Sequence, residues 1–248
     1  MTRANGRHAE VTCESQCAED FANTATRFAF ERTSFERVDS TLPELTRLLI
    51  IGTPLSEEQQ RDLVFALVVL HARNLAVRND RGGERLGAVP DLLRAELVGV
   101  IGGLDLPTYD PAAVTQALLT RWFIAALESP DGTAFITSDN PALWFKTEDG
   151  ACFLGAPLTP RNWVLLLDKT KFVARGRVEP GDVASLNHAQ AFNSTEAIYS
   201  QVKLSQRELD FWLGIMAGRP HEKASYADDG FHVRFVSAPP LSFLHRVG

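Results

Sequence analysis

Three polar side chains of different chemistry follow one another near the middle of this chain, as Ser138, Asp139 and Asn140. A hydroxyl, a carboxylate and an amide are groups that proteins use to move protons and to bind carbonyl or phosphate oxygens. On this interpretation Asp139 is a base or a substrate anchor, and its neighbours bind a substrate oxygen. The alternative is a turn whose side chains bond to nearby backbone N–H groups, because the same residue types favour turns.

The stretches on either side of these residues predict a rigid corner between two strands. An apolar, β-branched run at 135–137 precedes them, and a second apolar run at 142–145 follows them. Pro141 fixes its own backbone torsion and pushes Asn140 toward an extended conformation. We therefore expect a strand, a polar turn and a second strand in this order.

His71 and Arg73 form a second candidate group, near the end of a long predicted helix. The run 56–59 has the pattern of an N-cap with a capping box, and the helix behind it is expected to continue to about Asn79. A histidine titrates near neutral pH, and an arginine binds carboxylates or phosphates. The alternative is a helix end at which both side chains simply reach water.

Arg161 and Asn187 are the remaining candidates for binding a substrate. Arg161 precedes the strongest predicted strand, at 162–167, and either faces the same corner as Ser138 or is a solvated loop residue. Asn187 lies among apolar residues of a predicted helix, where a buried amide needs a partner. It is therefore expected either to bind a substrate or to fix the turn at Ser138.

The composition is that of an ordinary globular protein, and the length suits one domain, which we expect, or two small ones. The chain has 248 residues, of which 45% are hydrophobic and 23% are charged. The net charge of −6 gives no general attraction to nucleic acid or to anionic membranes. The apolar runs are too short to span a bilayer, so we expect a cytoplasmic protein. Whether it forms a homodimer stays open.

The number and spacing of the cysteines, and the absence of several known catalytic signatures, predict a protein without a metal or nucleotide cofactor. Cys13, Cys17 and Cys152 are odd in number, and no signal peptide precedes them, which argues against a disulfide framework. Cys13 and Cys17 lack the two further ligands that zinc would need. The chain has no phosphate-binding loop, no G-x-G-x-x-G after a strand, no G-x-S-x-G and no H-E-x-x-H.

The order of the predicted elements indicates an α+β fold, with a mostly helical region at 14–129 and a mixed region at 130–248. The short strands follow each other closely, which favours a small, mainly antiparallel sheet with covering helices. Helices are predicted at 14–30, 36–51 with Pro43 near the first turn, 56–79, 90–101, 110–128, 180–193 and 205–216. Strands are predicted at 134–137, 143–146, 151–154, 162–167, 171–174, 198–202 and 232–236.

The segment from Phe135 to Ser200 resembles the domain-of-unknown-function 4238 family. The resemblance is carried by F-I-T-S-D-N-P at 135–141, P-L-T-P at 157–160, Asn187 and A-I-Y-S at 197–200, in this order. The run H-A-R at 71–73 is similar to the end of the family's long helix. The family's N-terminal segment with His and Pro has no counterpart here, and Leu70 stands where a glutamine is common. The resemblance implies recurrent polar sites at Ser138, Asp139, Asn140, Arg73 and Asn187, and no particular reaction.

The leading hypothesis is a small-molecule enzyme of specialised metabolism that uses general acid/base catalysis on a substrate with an anionic group. The expected catalytic residues are Asp139, His71 and Ser138, and the expected substrate-binding residues are Arg73, Asn140, Arg161 and Asn187. One alternative is a non-catalytic ligand-binding or immunity-type module in which the corner is structural. Another is a metal-dependent phosphodiesterase or nuclease of a defence system.

Overall fold

The structure is a computed structural model that describes residues 2–3, 29–72, 119–195, 197–201, 203–217 and 235–247. Several sequence predictions lie outside these residues. They are Arg73, Cys13 and Cys17, the helix at 90–101 and most of the helix at 14–30.

The described residues form helices before and after a set of short strands. The helices are α1 (Ala29–Ile50), α2 (Glu57–Ala72), α3 (Pro180–Asn193) and α4 (Gln206–Ala217). The strands are β1 (Thr2–Arg3), β2 (Trp122–Glu128), β3 (Thr137–Ser138), β4 (Leu143–Lys146), β5 (Cys152–Pro157), β6 (Asn162–Asp168), β7 (Phe172–Ala174), β8 (Ala197–Tyr199), β9 (Phe235–Ser237) and β10 (Leu244–Arg246). Among the described helices, none is both long enough and apolar enough to cross a membrane.

Reciprocal capping boxes start two of the helices, as the sequence predicted. At α2 the Ser56 backbone N–H donates to Gln59 Oε1 (2.9 Å), and the Gln59 N–H donates to Ser56 Oγ (3.2 Å). At α4 the corresponding bonds join Ser205 and Glu208 at 2.8 and 3.3 Å. These bonds satisfy N–H groups that the first turn of a helix leaves without a helical partner.

A five-stranded sheet in the order β2-β6-β5-β4-β9 forms the centre of the fold. Its strands pair antiparallel except for β4 and β9, which are parallel. Two smaller sheets, β1-β8-β3 and β10-β7, lie beside it. The predicted α+β class with a mainly antiparallel sheet and covering helices is therefore confirmed.

Helices cover both faces of the central sheet, which explains why β6 is a continuous apolar run. Val164 and Leu166 pack on the face that carries α1 and α2. Trp163, Leu165 and Leu167 pack on the opposite face with Val183 and Leu186 of α3. Because successive side chains of a strand point to opposite faces, a strand that is covered on both sides needs apolar residues at every position.

The predicted helix at 110–128 is wrong from Trp122 onward. Residues 119–121 are helical, and β2 then pairs with β6 in a register that runs from Trp122↔Asp168 to Glu128↔Asn162. A short apolar run fits a helix stripe and a strand equally well, so its partners decide its structure. The prediction that Pro43 lies near a helix start is also wrong, because α1 begins at Ala29 and contains Pro43 in its interior.

Candidate functional site

The predicted corner is a bend at residues 138–140, at the end of β3 and before β4, and it lies against the C-terminal half of α3. The side chains of Ser138 and Asn140 are buried, with 4% and 1% of their residue surface exposed. Asp139 is half-buried. The bend is thus closed in by α3 and by the segment that follows this helix.

The Ser138 hydroxyl forms two hydrogen bonds within the protein. Its Oγ donates to Gln190 Oε1 (2.8 Å) and accepts the backbone N–H of Asn140 (3.1 Å). The amide of Gln190 also donates through Nε2 to the carbonyl of Pro141 (2.8 Å). A nucleophilic serine needs a neighbouring base, and an amide oxygen is not one. These contacts favour the structural interpretation of Ser138.

Asp139 and Asn140 hold the chain that leaves the C-terminus of α3. The Asn140 Nδ2 donates to the carbonyl of Asn193 (2.6 Å) and to Thr195 Oγ1 (2.9 Å). Both carboxylate oxygens of Asp139 accept the backbone N–H of Thr195, at 2.9 and 3.2 Å. The last turn of a helix leaves carbonyl groups without helical partners, and the bend supplies a donor for one of them.

Asn187 holds the segment that leads into the bend. Its Oδ1 accepts the backbone N–H of Ile136 (2.9 Å), and its Nδ2 donates to the carbonyl of Ala134 (2.8 Å). The side-chain amide therefore pairs with two backbone groups as an adjacent strand would. This is the structural use that the sequence allowed for Asn187, as an alternative to binding a substrate.

His71 approaches the same segment from α2, on the other face of the sheet. It is buried, and its Nδ1 lies 2.9 Å from the carbonyl oxygen of Ala142. A carbonyl only accepts hydrogen bonds, so Nδ1 carries the proton, and in the neutral ring Nε2 is the acceptor. The structure thus brings His71 to the chain just beyond the bend, within two residues of Asn140.

The structure does not place either of the two expected arginines at the corner, because Arg161 lies elsewhere and Arg73 is outside the described residues. The Arg161 guanidinium donates to the carbonyl of Pro130 (3.4 Å) and to Asp131 (3.2 Å) and lies 3.6 Å from Glu128. These contacts place it on the loop after β2. Arg73 lies outside the described residues, so its role as an anion-binding residue stays a prediction.

Gln190 and Thr195 belong to the site, although the sequence interpretation did not select them. Gln190 is fully buried and joins Ser138 to Pro141, and Thr195 binds both Asp139 and Asn140. A signal for Gln190 was present, because it follows Asn187 by three residues on the side of the helix that carries Val183 and Leu186. Residues at this spacing share one face of a helix, so two buried amides there indicate a common polar partner.

The described residues contain no group of three or more His, Cys, Asp and Glu side chains that could hold a metal ion. Burial raises the pKa of the Cys152 thiol, and the nearby charge of Lys146 opposes this rise without cancelling it. A thiol with a raised pKa is a poor nucleophile at neutral pH, because the thiolate is the reactive form.

Comparisons with protein-family models, curated proteins and solved structures give no match for this chain. The resemblance to the domain-of-unknown-function 4238 family therefore stays a prediction that rests on the motif residues. The function has to be argued from the contacts of the chain itself.

Proposed function

We propose that this protein is a non-catalytic small-molecule-binding module, and that the bend is a structural clasp. The clasp consists of the side chains of Ser138, Asp139, Asn140, Asn187 and Gln190. One observation carries the structural role of the clasp, namely that these side chains form hydrogen bonds with one another and with the backbone of the same chain. A general acid or base needs an atom within hydrogen-bond reach of the substrate proton.

The clasp connects α3 to the strands on both sides of the bend. Asn187 binds the chain before β3, Gln190 binds the chain before β4, and Asn140 binds the end of the helix. A buried polar network of this kind specifies one arrangement of its elements, provided that every member has a partner. Rigid placement of the helix on the sheet is what a binding module requires of such residues.

Substitution of Ser138 and Asn140 by alanine tests the proposal. Each change leaves buried partners unsatisfied, so urea unfolding should show a loss of about 1–3 kcal/mol per variant. Ser237→Ala is the matched control, since Ser237 is exposed on β9 and should change stability by less than about 0.5 kcal/mol. A Ser138→Ala protein with wild-type stability and no ligand binding would refute the structural role.

A second candidate function is an acid/base enzyme that acts on a substrate with an anionic group, with His71 as the base. The contact between His71 Nδ1 and the Ala142 carbonyl favours it, because this contact fixes the tautomer in which Nε2 accepts a proton. Nε2 is itself buried, so this function requires the chain around His71 to open for the substrate. Asp139 is the carboxylate of the bend, and it precedes Ala142 by three residues in the sequence. In this reading the clasp positions the chain against which the imidazole is held.

The pH dependence of turnover on anionic ester substrates separates the two candidates. If His71 is a general base, the turnover of the wild type falls at low pH as the imidazole is protonated. His71→Gln should then abolish this low-pH fall in the pH–rate profile. If His71 is structural, His71→Gln lowers the midpoint of urea unfolding and leaves the pH profile of any turnover unchanged. Turnover that depends on His71 would replace the binding-module proposal.

A further inference from the structure

A groove of about 550 Å³ lies beside the outer end of the central sheet, where β7 and β10 pair next to β2. Its apolar lining residues include Phe123, Val173 and Ala174, and its lining also includes the cationic residues Lys169, Arg175 and Arg246. The volume is within the range of roughly 300–1,000 Å³ that is usual for small-molecule sites. The groove shares none of its lining residues with the clasp.

Lys169 and Arg175 supply positive charge that the described part of the chain does not neutralise. Both side chains are exposed and line the groove, and neither forms an ion pair with a described carboxylate. Arg246 differs from them, because its guanidinium binds Asp149 (2.6 Å) and lies 4.6 Å from the centre of the Phe172 ring.

No described Asp or Glu lines the groove, and two carboxylates beside its lining residues are already bound. Asp168, next to Lys169 in sequence, is buried and lies 2.6 Å from the Arg121 guanidinium. Asp149 accepts hydrogen bonds from Arg246 and from the Thr147 hydroxyl. The groove therefore carries a local excess of positive charge on a chain whose net charge is −6. Such an excess attracts anions into a concave surface.

We propose that this groove binds a small molecule that carries a phosphate or carboxylate group on an apolar, ring-sized body. The inference rests on the proposed function, for which it supplies the ligand site. The fork of Arg175 and the ammonium group of Lys169 bind the anionic group, since both donate charge-assisted hydrogen bonds to such oxygens. Phe123, Val173 and Ala174 contact the apolar body.

Titration calorimetry at low salt with four probes tests the chemical class. Phenyl phosphate and benzoate carry both features, inorganic phosphate lacks the apolar body, and benzyl alcohol lacks the charge. Phenyl phosphate or benzoate should bind more tightly than the other two probes, and their order shows whether the groove prefers phosphate or carboxylate. Equal heats from phenyl phosphate and inorganic phosphate would overturn the apolar part of the inference. No binding of either anionic aromatic probe would overturn all of it.

Two charge-matched double variants test the position of the site. Lys169→Gln with Arg175→Gln should raise the Kd of the preferred probe about tenfold or more, because both charge-assisted contacts are lost. Lys203→Gln with Arg207→Gln removes the same charge from exposed positions outside the groove and should change the Kd less than about twofold. Equal changes in Kd in the two double variants would refute the groove as the binding site.

The outcomes for the groove and for the clasp are separable. Binding that survives the groove substitutions refutes this site and leaves a binding module with its ligand elsewhere. Loss of binding in the groove variant, with full stability in the clasp variants, supports the site and refutes the structural role of the clasp. Tight binding of an oligonucleotide that the groove variant abolishes would assign the surface to a polyanion and overturn the small-molecule inference.

Discussion

The bend and the groove use polar residues in opposite ways. In the bend, buried hydroxyl and amide groups bond to each other, as Ser138 does to Gln190. In the groove, Lys169 and Arg175 are charged and exposed. The bend carries the residue types that suggest catalysis, while the groove carries residues that are common on any protein surface. Of these two sets, however, only the charged side chains of the groove are exposed to solvent and so accessible to a ligand.

Residue type predicts that a side chain has a polar role, whereas its burial and its partners decide what that role is. A buried polar group costs free energy unless it is hydrogen-bonded, so a fold that encloses such groups must pair them internally. An exposed cation is solvated and keeps its capacity to bind an anion. We expect substitutions in the bend to act on stability and substitutions in the groove to act on binding.

The largest expected effect comes from Asn187, whose amide makes two bonds to the chain before the bend. Asn187→Ala leaves the buried N–H of Ile136 and the carbonyl of Ala134 without this partner. The free energy of unfolding should fall by about 2–4 kcal/mol in urea denaturation, because unpaired buried groups retain their full desolvation cost.

His188→Ala provides the control for Asn187, at the next position of the same helix. His188 is exposed and stacks on Phe192, with 6.0 Å between the ring centroids. Its replacement should change stability by no more than about 0.5 kcal/mol. Equal losses in the two variants would mean that the amide bonds contribute nothing specific, and the contrast between bend and surface would fail.

A somewhat smaller loss is expected from Gly155 on β5, in the central sheet, which the chain rejoins at β4 just after the bend. A Cβ at this position would lie 2.7 Å from Leu165 Cδ2 and 2.8 Å from Trp163 Nε1. Gly155→Ala should therefore cost about 1–3 kcal/mol in thermal or urea unfolding, because overpacking displaces side chains of a dense core. It should leave the affinity of the groove for anions unchanged.

Gly181→Ala is the matched control for Gly155, because a Cβ there would meet no atom within 4 Å. This position is exposed in the first turn of α3, where alanine is favoured over glycine by up to about 1 kcal/mol. We expect no loss of stability. A destabilised Gly181→Ala protein, or a wild-type Gly155→Ala protein, would contradict the packing described for β5.

Much of the fold could be predicted from the sequence, because several elements are specified locally. Strand β4 and helix α3 have the predicted bounds, and both capping boxes form as their spacing indicated. Strand β2 could not be predicted in the same way. Its apolar run is compatible with a helix, and only pairing with β6, about forty residues later, makes it a strand.

The location of the candidate site in the chain could be predicted from the sequence, whereas the hydrogen-bond partners of its side chains could not. Local turn chemistry located Ser138, Asp139 and Asn140 correctly at a bend after a strand. Their partners, such as Gln190 and Thr195, are some fifty residues away in sequence and meet them only because α3 packs on the sheet. The groove could not be predicted for a related reason, since its lining combines Phe123 of β2 and residues of β7 and β10, which are far apart in sequence.

A third prediction concerns Asp168, the buried carboxylate beside the groove. Burial alone would raise its pKa, but the hydrogen bonds from Arg121 and Thr170 outweigh burial and lower the pKa below its usual value. A lowered pKa in the folded state stabilises the fold above about pH 4, and this contribution disappears as the pH falls through the folded-state pKa. Asp168→Asn should cost about 1–2 kcal/mol at pH 7.

Urea unfolding between pH 7 and pH 2 measures the effect at Asp168. The stability difference between wild type and Asp168→Asn should shrink as the pH drops below about 4, because protonation removes the same charge from the wild type. Asp131→Asn is the control, since its fully exposed side chain pairs with Arg161 only at the surface. A difference that stays constant with pH would show that the charge of Asp168 is not what stabilises the fold.

The smallest expected effect on stability comes from the groove itself, and it completes the comparison with the bend. Lys169→Gln with Arg175→Gln removes two exposed cations without a described ion pair, so the free energy of unfolding should change by less than about 0.5 kcal/mol. At low salt the variant should be slightly more stable than the wild type, because repulsion among the groove cations is relieved. Added salt should remove this difference in the free energy of unfolding. A loss of more than about 1 kcal/mol would show that these cations are structural, as the residues of the bend are, and the distinction between the two regions would fail.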